Sequence, residues 1–202
     1  MKYDYIIVGA GSAGCVIANR LSEDPSTQVL LIEAGGSDRR FFIQMPIGYG
    51  VTYHQKAVNW MYMTEPSPDA DNKPSYWPRG KVMGGSSSIN AMVYVRGNPK
   101  DFDQWSEAGN PGWSYSDVLP YFKKMESWQN GPDDYRGGDG PLNVSEVSEQ
   151  LHPLCQNFLS AAQEIGIGLN KDMNGATQEG VGNYQITTHK GQRMSSSRAY
   201  LW

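Results

Sequence analysis

Residues 5–14 have the sequence YIIVGAGSAG, and this stretch decides the fold. The apolar and β-branched run from Tyr3 to Val8 predicts a buried strand. Glycines follow at once in the pattern G-x-G-x-x-G, and the helical spacing of apolar residues then predicts a helix from about Ser12 to Ser22. A second apolar run, Gln28 to Glu33, predicts another strand. Strand, glycine loop, helix and strand together make one Rossmann-like βαβ unit.

The three glycines have separate mechanical roles in a unit of this kind. Gly9 allows a tight turn after the strand, Gly11 lets the backbone approach a pyrophosphate, and Gly14 lets the helix pack closely on the sheet. The backbone N–H groups at the start of the helix, at Ser12 and Ala13, then face the phosphate charge. The loop is therefore predicted to bind a dinucleotide. The alternative is a glycine-rich turn without a ligand.

An acidic residue follows at the distance that a dinucleotide site requires. Glu33 ends the second predicted strand 19 residues after Gly14, where its carboxylate can accept both ribose hydroxyls, and Ala34 comes next. A carboxylate at this position disfavours the 2′-phosphate of NADP. The loop alone does not separate FAD from NAD. Without a ribose partner, Glu33 would be an ordinary surface carboxylate.

A second glycine-rich segment, GGSSSINAMV, occupies residues 84–93. Its first five residues predict a flexible turn rich in N–H and hydroxyl donors, among them Gly85 and Ser86. Residues 90–93 then enter an apolar stretch suited to a flat ring system. The chemistry of these residues leaves open an ordinary serine-rich loop before a strand.

The wider segment, residues 77–103, resembles the first signature of the glucose–methanol–choline (GMC) family of flavin oxidoreductases. Met83 replaces the family's usual Leu, Ile or Val, which is a conservative change. The residues that fit the family pattern are Gly80, Lys81, Gly84, Gly85, Ser86, Ser87, Ile89, Asn90, Tyr94, Gly97 and Asp103. Further matching stretches lie at 4–9, 31–36, 59–66, 137–142 and 191–201. Within the family, the chain resembles most the branch of choline dehydrogenases and bacterial aliphatic alcohol dehydrogenases.

The resemblance implies an α/β fold in which a Rossmann-like FAD-binding βαβ is followed by irregular and helical segments, as an incomplete GMC fold. We expect the dinucleotide-binding βαβ at 1–36, a flavin-contacting segment at 37–100 and a helical extension at 101–202. Some relatives bond the flavin covalently through a histidine where this chain has Ile89, so the FAD is predicted to be non-covalent. The FAD contacts implied in the flavin-contacting segment are Val82, Asn90, Ala91, Met92 and Val93.

The resemblance also implies a reaction. Family enzymes remove the hydroxyl proton of an alcohol with a histidine while hydride passes to the flavin, and these residues lie near the carboxyl end of longer chains. We therefore expect an FAD-dependent oxidoreductase acting on CH–OH groups, which oxidises a primary alcohol (aliphatic or choline-like) to the aldehyde, with a quinone or oxygen as electron acceptor. No catalytic residue is predicted within residues 1–202. A truncated, non-catalytic FAD-binding polypeptide and an NAD-linked Rossmann protein are the alternatives.

Bulk properties exclude several other classes of protein. The net charge of −4 gives no attraction to nucleic acid, and no apolar run reaches the roughly 18 residues of a membrane span. Two distant cysteines, Cys15 and Cys155, indicate neither a disulfide framework nor a metal site, and they favour the cytoplasm, with peripheral contact at the inner membrane left open. The three histidines, at 54, 152 and 189, have no metal-binding spacing and are expected to be exposed or to cap helices.

Three more helices are predicted after residue 97. Asn98-Pro99 is expected to begin the first and Gly109 to end it, and a third is expected from Pro153 to Gly166. For the second helix, Ser114 marks a possible cap. Pro120 is expected to delay the start of this helix. The apolar stripes of these helices are predicted to be core.

Overall fold

The computed structural model describes residues 2–202 and divides into two compact units. The first contains the residues up to Met92 together with Thr188–Trp202, and the second is Val93–Thr187. The α-helices in the described residues are α1 (Ser12–Leu21), α2 (Phe41–Gln44), α3 (Tyr49–Thr52), α4 (Pro99–Glu107), α5 (Tyr115–Met125), α6 (Leu154–Glu164) and α7 (Ser196–Tyr200). The strands there are β1 (Tyr5–Val8), β2 (Val29–Ile32), β3 (Tyr62–Met63), β4 (Tyr76–Trp77), β5 (Val93–Tyr94), β6 (Glu126–Trp128), β7 (Leu142–Val144), β8 (Gln185–Ile186), β9 (Thr188–His189) and β10 (Gln192–Arg193). No helix within residues 2–202 has the length and apolar character that crossing a membrane requires.

The predicted βαβ is present in the first unit. Strands β1 and β2 pair in parallel, in a register that begins with Tyr5 opposite Val29, and α1 packs against both strands. Helix α1 begins at Ser12, directly after the glycine loop. The residues that α1 buries are Gly14, Cys15 and Ala18. The glycine loop, the helix and the second strand therefore occupy the positions that the sequence pattern predicts.

Strand β1 is not the buried strand that its apolar sequence predicts. Val8 is 84% exposed and Ile6 is 62% exposed. Within the described residues this sheet has only two strands, so neighbours are absent on one side of each strand. An apolar strand is buried only when other elements cover it. The sequence of the strand does not reveal whether those elements are present.

The carboxyl-terminal segment packs onto the nucleotide helix. Helix α7 contacts α1, and the side-chain amide of Asn19 donates to the carbonyl oxygen of Tyr200 at 2.9 Å. The Tyr200 side chain joins Ala10 and Cys15 in a buried cluster. A second buried cluster of the first unit contains Ile43, Val58, Val82 and Ile89. Helix α7 near the carboxyl end of the chain therefore packs against α1 and against Ala10 of the glycine loop.

Two capping boxes begin helices of the second unit, at Asn98, where a helix start was predicted, and at Ser114, which was a possible cap. The side chain of Asn98 caps α4 and that of Ser114 caps α5, and in each case an aspartate three residues later returns the hydrogen bond. The expectation of a late start for the second helix is wrong, because α5 begins at Tyr115 and contains Pro120. A proline in the helix loses one backbone hydrogen bond, but the capping box fixes the start of the helix regardless.

Helix α6 confirms the predicted start and end but only part of the predicted core. Leu159 and Ala162 are buried. Leu154, Phe158 and Ile165 lie between 66% and 77% exposed, so their helical spacing does not indicate burial here. A periodic apolar stripe shows which residues share a face, whereas burial depends on what covers that face.

A buried ionic cluster lies in the second unit. The carboxylate of Glu126 on β6, which is wholly buried, accepts hydrogen bonds from Arg96 at 2.5 Å and from Arg136 at 3.0 Å. Arg136 also pairs with Asp172 at 2.8 Å and lies 4.2 Å above the ring of Trp128. Each buried charge in this cluster therefore has a partner of opposite sign.

Candidate functional site

A cleft of about 600 Å³ opens in the first unit beside the glycine loop, the end of β2 and the second glycine-rich segment. The predicted cofactor-binding residues that line it are Gly9, Gly11, Ser12, Glu33, Ala34, Gly85 and Ser86. The other residues of its lining are Val8, Ile32, Trp60, Tyr62, Arg79 and Gly80. The structure thus brings two separately predicted segments to one cavity.

The glycine loop has the geometry that each of its glycines was expected to permit. Gly9 has a φ of +94°, a value that glycine adopts without strain. A Cβ at Gly14 would lie 1.9 Å from the carbonyl oxygen of Gly9, so helix and strand approach too closely for any side chain there. A Cβ at Gly11 would meet no atom within 4 Å. The space beside Gly11 is therefore open, as an approaching ligand requires.

Glu33 holds the backbone around the cleft. One carboxylate oxygen accepts the N–H of Ala10 at 2.8 Å and the other accepts the N–H of Gly35 at 2.9 Å. A carboxylate has about four acceptor positions, so lone pairs remain for further donors. Glu33 is partly buried and lines the cleft, where the hydroxyls of a ribose can reach it. Its first role in the structure, as an acceptor that joins the loop to the end of β2, was not predicted from the sequence.

The two glycine-rich segments touch each other directly. A Cβ at Gly85 would lie 2.7 Å from the Cα of Gly11, and the N–H of Gly84 donates to the carbonyl oxygen of Ala10 at 2.7 Å. The expected flexible turn is a short 3₁₀ helix, Gly85–Ser88. Within it, the exposed Ser86 accepts the N–H of Gly80 through its hydroxyl oxygen at 3.1 Å. Close packing against the backbone of Gly11 therefore explains why residue 85 is glycine.

Three side chains of the lining were missed by reasoning from the sequence. Trp60 and Tyr62 stack with their ring centroids 5.9 Å apart, and the guanidinium of Arg79 lies 4.7 Å above Trp77. These residues add flat apolar surface and one positive charge to a lining that also contains the glycines, the side chains of Val8 and Ile32 and the carboxylate of Glu33. Nothing in their local sequence distinguishes them from other aromatic and basic residues. Their position follows only from the path of residues 59–80 in the fold.

The remaining predicted contacts lie outside this cavity lining. Val82 is wholly buried in a core cluster, Met92 is 4% exposed, and Asn90 and Ala91 are exposed on the first unit. Ala13 and Gly14 belong to α1 behind the loop, with Ala13 exposed and Gly14 buried. Val93 begins the second unit and pairs with Ile186. Their contacts with FAD stay predictions.

The thiol of Cys15, which contacts Ala10 of the glycine loop, is protonated at neutral pH. Cys15 is wholly buried, and its thiol donates to the carbonyl oxygen of Ala10 at 3.2 Å. Burial raises the pKa of this thiol to about 11, so the sulfur stays protonated at neutral pH. No group of His, Cys, Asp and Glu in the described part of the chain is arranged to hold a metal ion. Cys15 therefore offers no thiolate beside the glycine loop at neutral pH.

Histidine positions agree only partly with expectation. His54 and His152 are exposed, and Nδ1 of His152 accepts the N–H of Leu154 at 3.2 Å near the start of α6. His189 is half-buried on β9. None of the three lines the cleft.

The cleft fits the ADP half of a dinucleotide. It combines open space above Gly11, N–H groups at the start of α1 and the carboxylate of Glu33 at the adjoining strand end. Exposed apolar side chains at the ends of both strands, Val8 and Ile32, can cover a flat base.

Comparison with known proteins shows the family of this chain. A profile described as GMC oxidoreductase matches residues 3–202. The chain belongs to the GMC oxidoreductase family. The predicted family, the α/β fold class and FAD as the cofactor of GMC proteins are thereby confirmed.

Several GMC relatives resemble the chain over almost its whole length. The oxygen-dependent choline dehydrogenase of Photobacterium profundum is 51% identical over 200 residues, which cover 98% of this chain and 35% of that protein. The alcohol dehydrogenase (acceptor) of Pseudomonas putida is 50% identical over 200 residues, 98% of this chain and 36% of that protein. The mitochondrial choline dehydrogenase of Mus musculus is 49% identical over 207 residues, covering 99% and 35%. The chain thus spans about a third of the length of these curated relatives.

Solved structures agree with this relationship. The crystal structure of pyridoxine 4-oxidase from Mesorbium loti superposes with a TM-score of 0.94 at 34% identity, covering 100% of this chain and 40% of that one. An FAD-dependent oxidoreductase from Chaetomium thermophilum gives a TM-score of 0.88 at 33% identity, covering 98% and 36%.

Proposed function

We propose that this chain binds FAD in the cleft of the first unit and forms the FAD-binding part of an oxidoreductase that acts on the CH–OH group of a primary alcohol. The observation that carries the proposal is the open space above Gly11, bordered by the N–H groups of α1 and the carboxylate of Glu33. Identities of 49–51% to choline and alcohol dehydrogenases support an aliphatic or choline-like alcohol as substrate.

In this proposal the chain positions the cofactor. The N–H groups of Ser12 and Ala13 face the diphosphate at the positive end of α1, and Glu33 accepts the ribose hydroxyls. Residues Asn90–Val93 lie along the flavin ring. Bound FAD supplies the acceptor for the hydride that leaves the alcohol carbon. The residues of this chain contribute orientation and charge, and none of them is proposed as the base that removes the hydroxyl proton.

We further propose that the FAD is held without a covalent bond. Ile89 stands where some relatives carry a histidine that bonds the flavin, and its side chain is 3% exposed within the cluster formed with Ile43, Val58 and Val82. A hydrocarbon side chain in a packed apolar cluster has no nucleophile to offer. Denaturation with acid should therefore release all flavin into the supernatant, and flavin that stays with the polypeptide would contradict this part of the proposal.

The direct test is an FAD titration of the purified protein, followed by quenching of flavin fluorescence, with NAD titrated in parallel. We expect saturable binding of FAD that excess ADP reverses, and no comparable binding of NAD. Glu33→Ala should weaken FAD binding, whereas Glu23→Ala, an exposed carboxylate after α1, should not. Binding of NAD in preference to FAD would overturn the assignment, and absence of any dinucleotide binding would overturn the proposed site.

A second measurement addresses the alcohol and the electron acceptor. None of residues 1–202 is proposed as the base, so FAD-loaded residues 1–202 should not bleach when choline or a primary aliphatic alcohol is added without air. Bleaching would place a proton acceptor within these residues, and recovery of colour with oxygen or with a quinone would then identify the electron acceptor.

A further inference from the structure

The side chain of Arg193 is a buried cation without a carboxylate partner. Arg193 ends strand β10 and is wholly buried in the first unit. Its Nε donates to the carbonyl oxygen of Ile43 at 2.9 Å, and its Nη1 donates to the carbonyl oxygen of Ser87 at 3.1 Å and to Oδ1 of Asn90 at 2.9 Å. Among the described residues, Nη2 has no hydrogen-bond partner. All three of its acceptors are neutral.

Burial of this kind is costly. Desolvation lowers the pKa of Arg193 to about 10, so the guanidinium still carries its charge at neutral pH. The other wholly buried arginine, Arg136, pairs with two carboxylates. In the first unit the buried carboxylate of Asp38 accepts hydrogen bonds from Ser195 and Ser197, whereas Arg193 donates to Ile43, Ser87 and Asn90. Charge pairing therefore does not account for an arginine at this position.

The acceptors of Arg193 indicate what the residue does. Ser87 and Asn90 both belong to the second glycine-rich segment. Oδ1 of Asn90, which accepts from Arg193, also accepts the backbone N–H of Met92 at 3.0 Å. Met92 has a φ of +63°, in the left-handed region that a residue with a side chain seldom adopts. The guanidinium of Arg193 thus positions the side-chain amide of Asn90, and that amide accepts the N–H of Met92 in the strained turn.

A second contact ties the same segment to the end of the chain. The hydroxyl of Ser87 accepts the N–H of Ser196, the first residue of α7, at 2.9 Å. Strained backbone persists only where its surroundings define it from several directions. For the turn at 90–92, the surroundings include Arg193 and the segment that follows it.

We propose that Arg193 is a positioning residue that fixes the turn Asn90–Met92 so that it can contact the flavin ring. This inference rests on the proposed function, in which residues 90–93 lie along the flavin. The ADP half of the cofactor is held elsewhere, by the glycine loop and Glu33. Loss of Arg193 should therefore weaken the binding of FAD while the binding of ADP stays unchanged.

The test compares FAD and ADP dissociation constants for the wild-type protein, Arg193→Met and Arg193→Lys. Methionine keeps an apolar stem without donors, and lysine keeps the charge but cannot reach three acceptors with a planar fork. We expect both variants to weaken FAD binding by about tenfold or more, the cost of a lost charged hydrogen bond, with ADP binding unchanged. The fine structure of the visible absorption band of bound flavin should also be lost. Arg39→Met, which removes an exposed cation of the first unit that lies over the ring of Trp202, is the control and should change neither constant.

Asn90→Ala tests the same contact without removing the arginine. Its FAD constant should shift like that of Arg193→Met, and the double variant should be no weaker than either single variant, because both changes break one linkage. If Arg193→Met does not fold, the Arg193→Lys variant decides the question, because Asn90 is itself a proposed flavin contact. Equal losses of FAD and ADP affinity, or an unchanged FAD constant, would overturn the role of Arg193. Failure of the wild-type protein to bind FAD would instead overturn the proposed function.

Discussion

Replacement of Gly11 by alanine should change stability and cofactor binding in opposite directions. Gly11 has φ −75° and ψ −166°, a conformation open to alanine, and its Cβ would meet no atom within 4 Å. The substitution therefore introduces no clash in the ligand-free protein. Since alanine restricts the unfolded chain more than glycine does, Gly11→Ala should stabilise the ligand-free protein by about 0.4–1 kcal/mol. This corresponds to a rise in melting temperature of about 1–4 °C for a chain of this size.

The effect on FAD has the opposite sign because the new methyl group occupies the cleft. A diphosphate displaced from the loop loses a charge-assisted hydrogen bond to a backbone N–H, which is worth about 1.5–3 kcal/mol. The dissociation constant of FAD should therefore rise about tenfold to a hundredfold.

Gly14→Ala provides the contrast. Its Cβ would lie 1.9 Å from the carbonyl oxygen of Gly9, so α1 must move away from β1. Overpacking of this kind should lower the stability of the ligand-free protein by about 1–3 kcal/mol or more. Urea unfolding of both ligand-free variants, together with an FAD titration, measures the two effects separately. A Gly11→Ala variant that binds FAD as tightly as the wild type, or that loses stability as Gly14→Ala does, would refute this reasoning.

Three other perturbations have outcomes that follow from contacts in the structure. Glu126→Ala leaves Arg96 and Arg136 buried without their shared carboxylate, so urea unfolding should show a loss of about 3–5 kcal/mol, against less than about 0.5 kcal/mol for the exposed Glu107→Ala. Glu33→Gln turns an amide N–H₂ toward the N–H of Ala10 or Gly35, and this unsatisfied contact should lower the free energy of unfolding by about 1–3 kcal/mol even without FAD. Unchanged stability would argue against the two hydrogen bonds. Burial raises the pKa of the Cys15 thiol from 9.0 to about 11, so Cys15 should resist iodoacetamide in the folded protein while the half-buried Cys155 reacts. Just above pH 9 only the unfolded thiol ionises, so the stabilising contribution of Cys15 is complete below pH 9 and declines between pH 9 and about 11. Rapid labelling of native Cys15 would contradict its burial.

The elements that local sequence determines were predictable. The βαβ follows from apolar runs and three glycines within 33 residues, and the caps of α4 and α5 follow from Asn98 and Ser114 with an aspartate three positions later. The same local logic failed for Pro120, which lies inside α5 while the capping box at Ser114 marks the start of the helix.

The features that depend on distant neighbours were not predictable. The exposure of Val8 and Phe158 reflects what covers a strand or a helix, which periodicity does not encode. The contact between Gly85 and Gly11 and the arrival of Trp60 and Arg79 at the cleft depend on the path of the chain between β2 and the second glycine-rich segment. The two glycine-rich segments and Glu33 could thus be predicted as separate motifs. Only the folded structure shows that they line one cavity.

The uncovered strand ends have a calorimetric consequence. Val8 and Ile32 present hydrocarbon to solvent at the wall of the cleft, so a nucleotide base that settles there withdraws apolar surface from water. Dehydration of such surface gives a negative heat-capacity change. The binding enthalpy should accordingly become more exothermic as the temperature rises, and Val8→Ser should flatten that dependence.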